Sequence, residues 1–257
     1  MTSDEGGGAG DRSTDPDGVA RVGVPGSVPG SVTSAIEDAD AEYVAVSPDD
    51  LPPDLDAVVA VGEGTVLSLA PDCRTPILAV DADSPLSVPL AAVDEAIATV
   101  AAGAGRTVEV PVVAARHAGG RTHALMDVML VAASPARISE YSVESGGRTV
   151  ARFRADGVVV ATPFGSHGYA RAAGGPALAL GSGVAAVVPV APFAIDPDRW
   201  VLPLGTVTLR VERDEAAVEL LADDRSAGPV APNDPVRVEP AGSLRFLATD
   251  GRGLERH

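Results

Sequence analysis

The sequence changes texture at about Gly105, and that change constrains the fold more than any single residue does. Upstream, short apolar runs alternate with helical segments. The run 56–61, DAVVAV, has no polar face, the pattern of a parallel strand covered on both sides. Residues 20–24, 43–46 and 77–80 read as further strands. Helices are expected over 34–41 and 88–102, with a short helical segment over 66–70. Thr33 or Ser34 is the expected N-cap of the first, with acids in its early turns, and Gly103 the C′ residue of the second. Between the first strand and helix, a small VPGS repeat over 25–31 reads as a tight loop. Strands separated by helices predict a parallel α/β half.

Downstream, residues 107–116, 123–132, 138–143, 149–154 and 158–162 read as strands. They are joined by Gly119-Gly120, Ser145-Gly146-Gly147 and Ala155-Asp156-Gly157, all hairpin signals. Further strands are expected at 183–190, 206–211, 217–221 and 235–239, with one helix near 168–173. The expected architecture is an α/β N-terminal domain with a parallel sheet over 19–105, followed by a mostly-β C-terminal domain over 106–250. Residues 1–18 and 251–257 read as tails, the first disordered. Gly-rich turns near the seam predict a site between the two domains.

Composition narrows the function. There are 36 acids against 19 bases, a net charge of −17, and every base is Arg. With no Lys, a P-loop lysine, a Schiff-base lysine and a protein-kinase lysine are excluded. The negative charge argues against a nucleic-acid partner and against an anionic membrane surface. An acidic, Lys-free surface fits a cytoplasmic protein adapted to concentrated salt. The lone Cys73 rules out an internal disulfide and a cysteine zinc site. No run of about 18 apolar residues suggests a membrane span, and the N-terminus lacks a signal-peptide pattern.

Two segments carry chemistry. Gly62-Glu63-Gly64-Thr65 lies between a strand and a helix, where glycines and first-turn N–H groups can receive a phosphate. Glu63 is a carboxylate in that turn, suited to holding Mg²⁺ or accepting a proton. The second segment, 161–178, follows a strand and is dense in small and hydroxyl residues. It is not a hydrolase nucleophile elbow, because Phe164 stands where the glycine two before the serine is needed. It reads as a backbone-rich loop on which a ribose or base can lie. His117 and His123 flank a Gly-Gly turn without a third ligand, so no metal set stands out.

The run TPFGSHGYARAAGGPAL resembles the TPTGSTAYxxSAGGP signature of the NAD kinase family. VGEGT resembles the family's GGDGT, ALMDVML its ALNEVxI, and RADGVVVA its GDGxIxAT, in the same order. The resemblance covers roughly residues 20–250. It implies ATP-dependent phosphorylation of the adenosine 2′-hydroxyl of NAD, Mg²⁺ accompanying the ATP, and a homodimer or homotetramer. Carried over residue by residue, it makes Glu63 the catalytic carboxylate and Gly62, Gly64 and Thr65 the phosphate-binding turn. Met126, Asp127, Asp156, Thr162, Ser166, His167, Gly168 and Tyr169 become the dinucleotide pocket. Arg171 or another Arg takes over phosphate neutralisation.

The chain departs from the pattern at several points. Glu63 replaces an aspartate, Met126 the asparagine of the family's NE pair, and His167-Gly168 a Thr-Ala pair. The LGFL stretch is absent near 83–88. Asp223 or Asp224 stands for a late aspartate, without the glycine that follows it. These changes leave two alternatives beside NAD kinase: a non-catalytic dinucleotide-binding regulatory paralogue, and a kinase of another small hydroxyl substrate.

Overall fold

The computed structural model describes residues 19–249 except 70, 72, 135, 136, 214 and 215. The tails expected at 1–18 and 251–257 lie outside the described residues. The chain begins with β1 (Arg21–Pro25), α1 (Gly30–Asp38), β2 (Glu42–Val46) and β3 (Ala57–Val61). It continues with α2 (Glu63–Ser68), β4 (Ile77–Val80), α3 (Val93–Ala101), β5 (Arg106–His117) and β6 (Gly120–Ala124). Then come β7 (Asp127–Ala132), β8 (Ser139–Ser145), β9 (Arg148–Ala155), β10 (Gly157–Ala161) and α4 (Tyr169–Ala172). The last six strands are β11 (Val184–Val190), β12 (Trp200–Pro203), β13 (Val207–Arg213), β14 (Val218–Ala222), β15 (Arg225–Val230) and β16 (Val236–Ala248).

The first half is a parallel sheet in the order β2-β1-β3-β4. Val58 and Ala60 of β3 face one core cluster, with Val66 and Leu67 of α2, while Ala57 and Val59 face another, with α1 and α3. That two-sided burial is why 56–61 has no polar face. The helix α1 begins earlier than expected. Pro29 stands at its N-cap, no side chain caps it, and no acid lies in its first turn. Proline fixes the φ that a helix start needs, so Thr33 and Ser34 fall inside the helix.

The second half is mostly antiparallel strand. Six strands form a sheet in the order β12-β11-β10-β7-β14-β15. β8, β9 and β13 join the first sheet through β16, which also pairs along its length with β5. β16 runs parallel to β4 at Phe246 and Ile77, so one sheet continues across the change of texture at Gly105. Val128, Leu130, Val158 and Val160 of the six-stranded sheet pack on Tyr141, Val143, Leu209 and Val211 of the larger one.

Three expectations fail here. The expected strand 123–132 is two strands in different sheets, broken at Leu125-Met126. Ala155-Asp156-Gly157 is not a hairpin, because β9 and β10 belong to different sheets. The expected strand 235–239 extends to Ala248 through an irregularity at Pro240–Gly242.

Candidate functional site

Gly62 sits at φ +81, a conformation that favours glycine, and its N–H donates to the Val80 carbonyl at 2.8 Å. This reverses the chain from β3 into α2, so Glu63 starts the helix and remains exposed. The Thr65 hydroxyl donates to Val61 O at 2.7 Å and therefore braces the turn. A Cβ at Gly62 or at Gly64 would meet nothing within 4 Å, so this turn is open.

Opposite it, the bend between β6 and β7 is built by Asp223. This residue lies between β14 and β15 at φ +53, a conformation that Asp tolerates better than most side chains. Its carboxylate accepts the N–H of Leu125 at 3.0 Å, of Met126 at 2.7 Å and of Asp127 at 3.2 Å. Its own N–H donates to Asp127 O at 2.9 Å. Of the two late aspartates, Asp223 is thus the structural partner of the Met126-Asp127 bend.

The 162–178 loop is seated on the same bend. The Thr162 N–H donates to Met126 O at 2.9 Å, and its hydroxyl donates to Leu125 O at 2.7 Å. The Ser166 hydroxyl donates to Pro163 O at 2.8 Å and accepts the Leu178 N–H at 2.9 Å. Both hydroxyls are buried and engaged within the protein, so Thr162 and Ser166 shape the loop. Met126 belongs to an apolar cluster with Phe164 and Phe246, whose rings lie 5.0 Å apart. Met126 therefore anchors the loop and presents no polar atom to a ligand. His167 and Tyr169 are exposed on the loop, with Gly168 half-buried between them. Arg171 donates to Gly175 O at 3.2 Å, bracing the same segment.

Asp156 stands apart. It follows β9 at the far end of the five-residue β10, about 16 Å of strand away from Thr162. Its carbonyl accepts the Tyr141 hydroxyl and its N–H donates to Val190 O. Within one chain it does not join the cluster.

Glu63, Asp127 and Asp223 come close enough to perturb one another. Burial, then the charges of Asp223 and Glu63, push the Asp127 carboxyl up to about 7. Burial, then Asp83, Asp224 and Asp223, push Glu63 upward as well. Burial also raises Asp223, opposed by the three N–H groups it accepts and by Arg225. Such mutually raised carboxyls at a seam are a functional-site marker with a physical cause. Among the described residues, no group of three or more acids, histidines or cysteines could hold a metal ion alone.

A cleft of about 390 Å³ opens beside the cluster. The α/β half contributes Asp49 and 66–69, and the β-rich half contributes 121–125, Asp223 and Arg225. Sequence reasoning had not singled out Asp83, Arg121 or Arg225. Only the fold joins them to the site, and no local pattern marks them.

Comparison with known proteins agrees with this arrangement. Residues 125–244 match the model of the ATP-NAD kinase C-terminal domain. NAD kinases of Methanosarcina barkeri and Methanosarcina acetivorans are 33% and 36% identical over 114 and 116 residues. Each match covers 44% of this chain and 42% of the relative, so the chain aligns with about two fifths of those proteins' length. Among solved structures, yeast NADH kinase complexed with NADH aligns at TM-score 0.74 and 16% identity, covering 93% of this chain and 86% of that one. An Archaeoglobus fulgidus NAD kinase in complex with ATP aligns at TM-score 0.72 and 22% identity, covering 90% and 95%. These structures share the α/β-plus-β fold across both halves, and the family-model match spans the segment that builds the bend, the loop and the Asp223 clamp. Over residues 125–244 the chain is thus similar to the C-terminal domain of NAD kinases.

Proposed function

We propose that the chain is an NAD kinase that transfers the terminal phosphoryl group of ATP to the adenosine 2′-hydroxyl of NAD. The observation that carries this reading is the seam cluster, in which Glu63 of one half faces Asp127 and Asp223 of the other. In the reaction the 2′ oxygen bonds to the γ-phosphorus and the bond to the β–γ bridging oxygen breaks. ADP leaves, and the hydroxyl proton passes to Glu63. A base whose proton affinity is raised by burial and then by neighbouring carboxylates is suited to receive it. Asp127 is the partner for the ribose, and the exposed Tyr169 and His167 offer flat faces for a base. Thr162, Ser166 and Met126 act as positioning residues through the loop they hold.

Magnesium fits this donor set in one way. Exposed carboxylates suit a hard cation, and Mg²⁺ that arrives with phosphates keeps several waters and needs few protein ligands. Asp224, exposed beside Glu63, is the residue that would hold it. When bound, the ion neutralises charge on the transferring phosphoryl group.

One observation favours a second reading, a dinucleotide-binding relative without turnover: the family's asparagine position is filled by the buried, apolar Met126. The test is NADP formation from NAD, ATP and Mg²⁺ in molar KCl, read with an NADP-specific dehydrogenase. ATP-dependent NADP formation supports the kinase. NAD binding with no turnover supports the second reading, and neither outcome would remove both. A homodimer or homotetramer belongs to the same proposal, and the exposed Phe193, Ile195 and Val201 give it an apolar surface to bury.

A further inference from the structure

The connection from β2 to β3 is unusual for a parallel sheet. The two strands lie on either side of β1 and run parallel to it, so the chain between them must travel back along the sheet. A helix normally makes that journey and covers the face beneath it. Here residues 47–56 make it without a helix. Pro48, Pro52 and Pro53 account for this, since each lacks an N–H donor and fixes its φ. Leu55 alone of the segment is buried, and it closes over Gly23, where a Cβ would lie 2.7 Å from Leu55 Cδ1. So thin a cover leaves a cleft of about 280 Å³ between this segment, residues 73–76 and Arg245 of β16.

The rings of Pro48, Pro52, Pro53 and Pro76 line the cleft, with Leu51 and Leu55. Two cations, Arg74 and Arg245, reach the same space. The Arg245 guanidinium donates to the Arg74 carbonyl, which holds it at the cleft. Neither arginine has an ion pair among the described residues, although Glu109 stands opposite Arg245 in the ladder. Thr75 also lines the cleft and is only 9% exposed. Its carbonyl accepts the Cys73 thiol, while its hydroxyl has no hydrogen bond among the described residues. Asp49 stands on the rim and is the one residue that also lines the seam cleft.

We propose that this cleft is a second binding site, for a small aromatic monocarboxylic acid. The flat apolar ring lies among the prolines and leucines, and the carboxylate takes the forked N–H groups of Arg74 and Arg245. The Thr75 hydroxyl is a further donor for it. Two arginines against one aspartate leave a single positive charge at the cleft, which matches a monoanion. A volume of about 280 Å³ is at the small end of ligand pockets and suits one ring. The site stands apart from the carboxylate cluster of the seam, and it does not depend on the kinase reading.

The experiment titrates para-fluorobenzoate and its neutral amide, para-fluorobenzamide, into the full chain at one fixed salt concentration, followed by fluorine NMR. Wild type should bind the benzoate saturably and the amide about tenfold more weakly, the scale of a charge-assisted hydrogen bond. Arg74→Gln and Arg245→Gln should each weaken the benzoate by about tenfold and leave the amide little changed. Arg245→Lys, which keeps the charge but not the fork, should fall between wild type and Arg245→Gln. Arg148→Gln, on the β9 edge, is the control for a lost surface charge and should bind as wild type does. Arg74 is exposed, so Arg74→Gln should keep the wild-type unfolding midpoint, which separates a lost contact from a lost fold. Saturating MgATP should leave the benzoate affinity unchanged. Failure of the benzoate to bind saturably, equal affinities for benzoate and amide, or Gln variants that bind as wild type does would each overturn the site. Displacement of the benzoate by MgATP would overturn it as well, since the two ligands would then compete for the seam. None of these measurements uses turnover, so a chain that makes no NADP but binds the benzoate through Arg74 and Arg245 fails the kinase reading and keeps the site.

Discussion

The Gly62–Thr65 turn and the 162–178 loop both read as glycine-rich, but the glycines serve opposite ends. At the turn, Gly62 provides a positive φ and Gly64 leaves open space, with no atom within 4 Å of either missing Cβ. In the loop, a Cβ at Gly165 would lie 2.1 Å from Met126 O, and one at Gly175 would lie 2.7 Å from Ala170 O. The first set keeps a surface accessible, and the second lets backbone approach backbone. The carboxylate cluster lies between an open half that can admit a ligand and a packed half that holds its shape. Substitutions on the two sides should therefore separate chemistry from stability.

The largest effect belongs to the open side. Glu63→Gln preserves shape and removes the charge, and should lower the turnover number by about 10²–10⁴. Because Glu63 is exposed and starts the helix without a packing role, the unfolding midpoint should not move. Glu63→Asp should retain activity, and substrate affinity should change little in either variant. Turnover of Glu63→Gln at the wild-type rate would leave the carboxylate without a catalytic role.

The packed side should respond in the reverse manner. Gly165→Ala forces a methyl group into the Met126 carbonyl, a backbone atom that cannot rotate away. A loss of about 3 kcal/mol or more in urea unfolding is expected, at the upper end for overpacking. Stability within 0.5 kcal/mol of wild type would mean that the loop is not seated on the Leu125-Met126 bend.

The contrast also explains what was legible in the sequence. The parallel half is visible because its signals are local: DAVVAV must be buried on both faces, and Gly103 ends a helix where expected, at φ +65. The bend at Leu125-Met126 is invisible, since both residues are apolar and continue the strand pattern. It is imposed by Asp223, nearly a hundred residues away, whose carboxylate takes three successive N–H groups out of the ladder. β16 is underestimated because Pro240 and Gly242 read as a stop, whereas the ladder absorbs them as an irregularity and continues to Phe246 beside β4. Glu63 and Asp127 were singled out through the family motifs, and the fold brings them within electrostatic reach of each other. That the Thr162 and Ser166 hydroxyls bond within the loop and the bend was not legible, because motif letters do not show which way a side chain turns.

The cluster should also give stability a pH dependence of defined sign. The Asp127 carboxyl is raised to about 7 in the folded chain, chiefly by burial, and titrates near 4 when unfolded. Between these values the folded state binds more protons than the unfolded state. This group's contribution is therefore fully present below about pH 4 and is lost as pH rises through 7. The slope attributable to it is at most about 1.4 kcal/mol per pH unit. Asp127→Asn, which cannot titrate, should flatten the stability profile over that interval relative to wild type. Parallel profiles for the two proteins would mean that Asp127 is not held protonated by its surroundings.

The smallest effect tests the open side directly. Gly64 lies in the first turn of α2 with no positive φ, and its missing Cβ points into empty space. Alanine there keeps the helix and restricts the unfolded chain, so Gly64→Ala should stabilise the protein by about 0.5–1 kcal/mol. If a phosphate oxygen approaches the backbone of this turn during catalysis, the same methyl group stands in its way. The Michaelis constant for a phosphate-bearing substrate should then rise while the unfolding midpoint improves, an outcome opposite in both respects to a packing glycine. A variant that gains stability and keeps wild-type kinetics would show that the openness at Gly64 serves only the turn, and the phosphate contact would have to lie elsewhere on the seam.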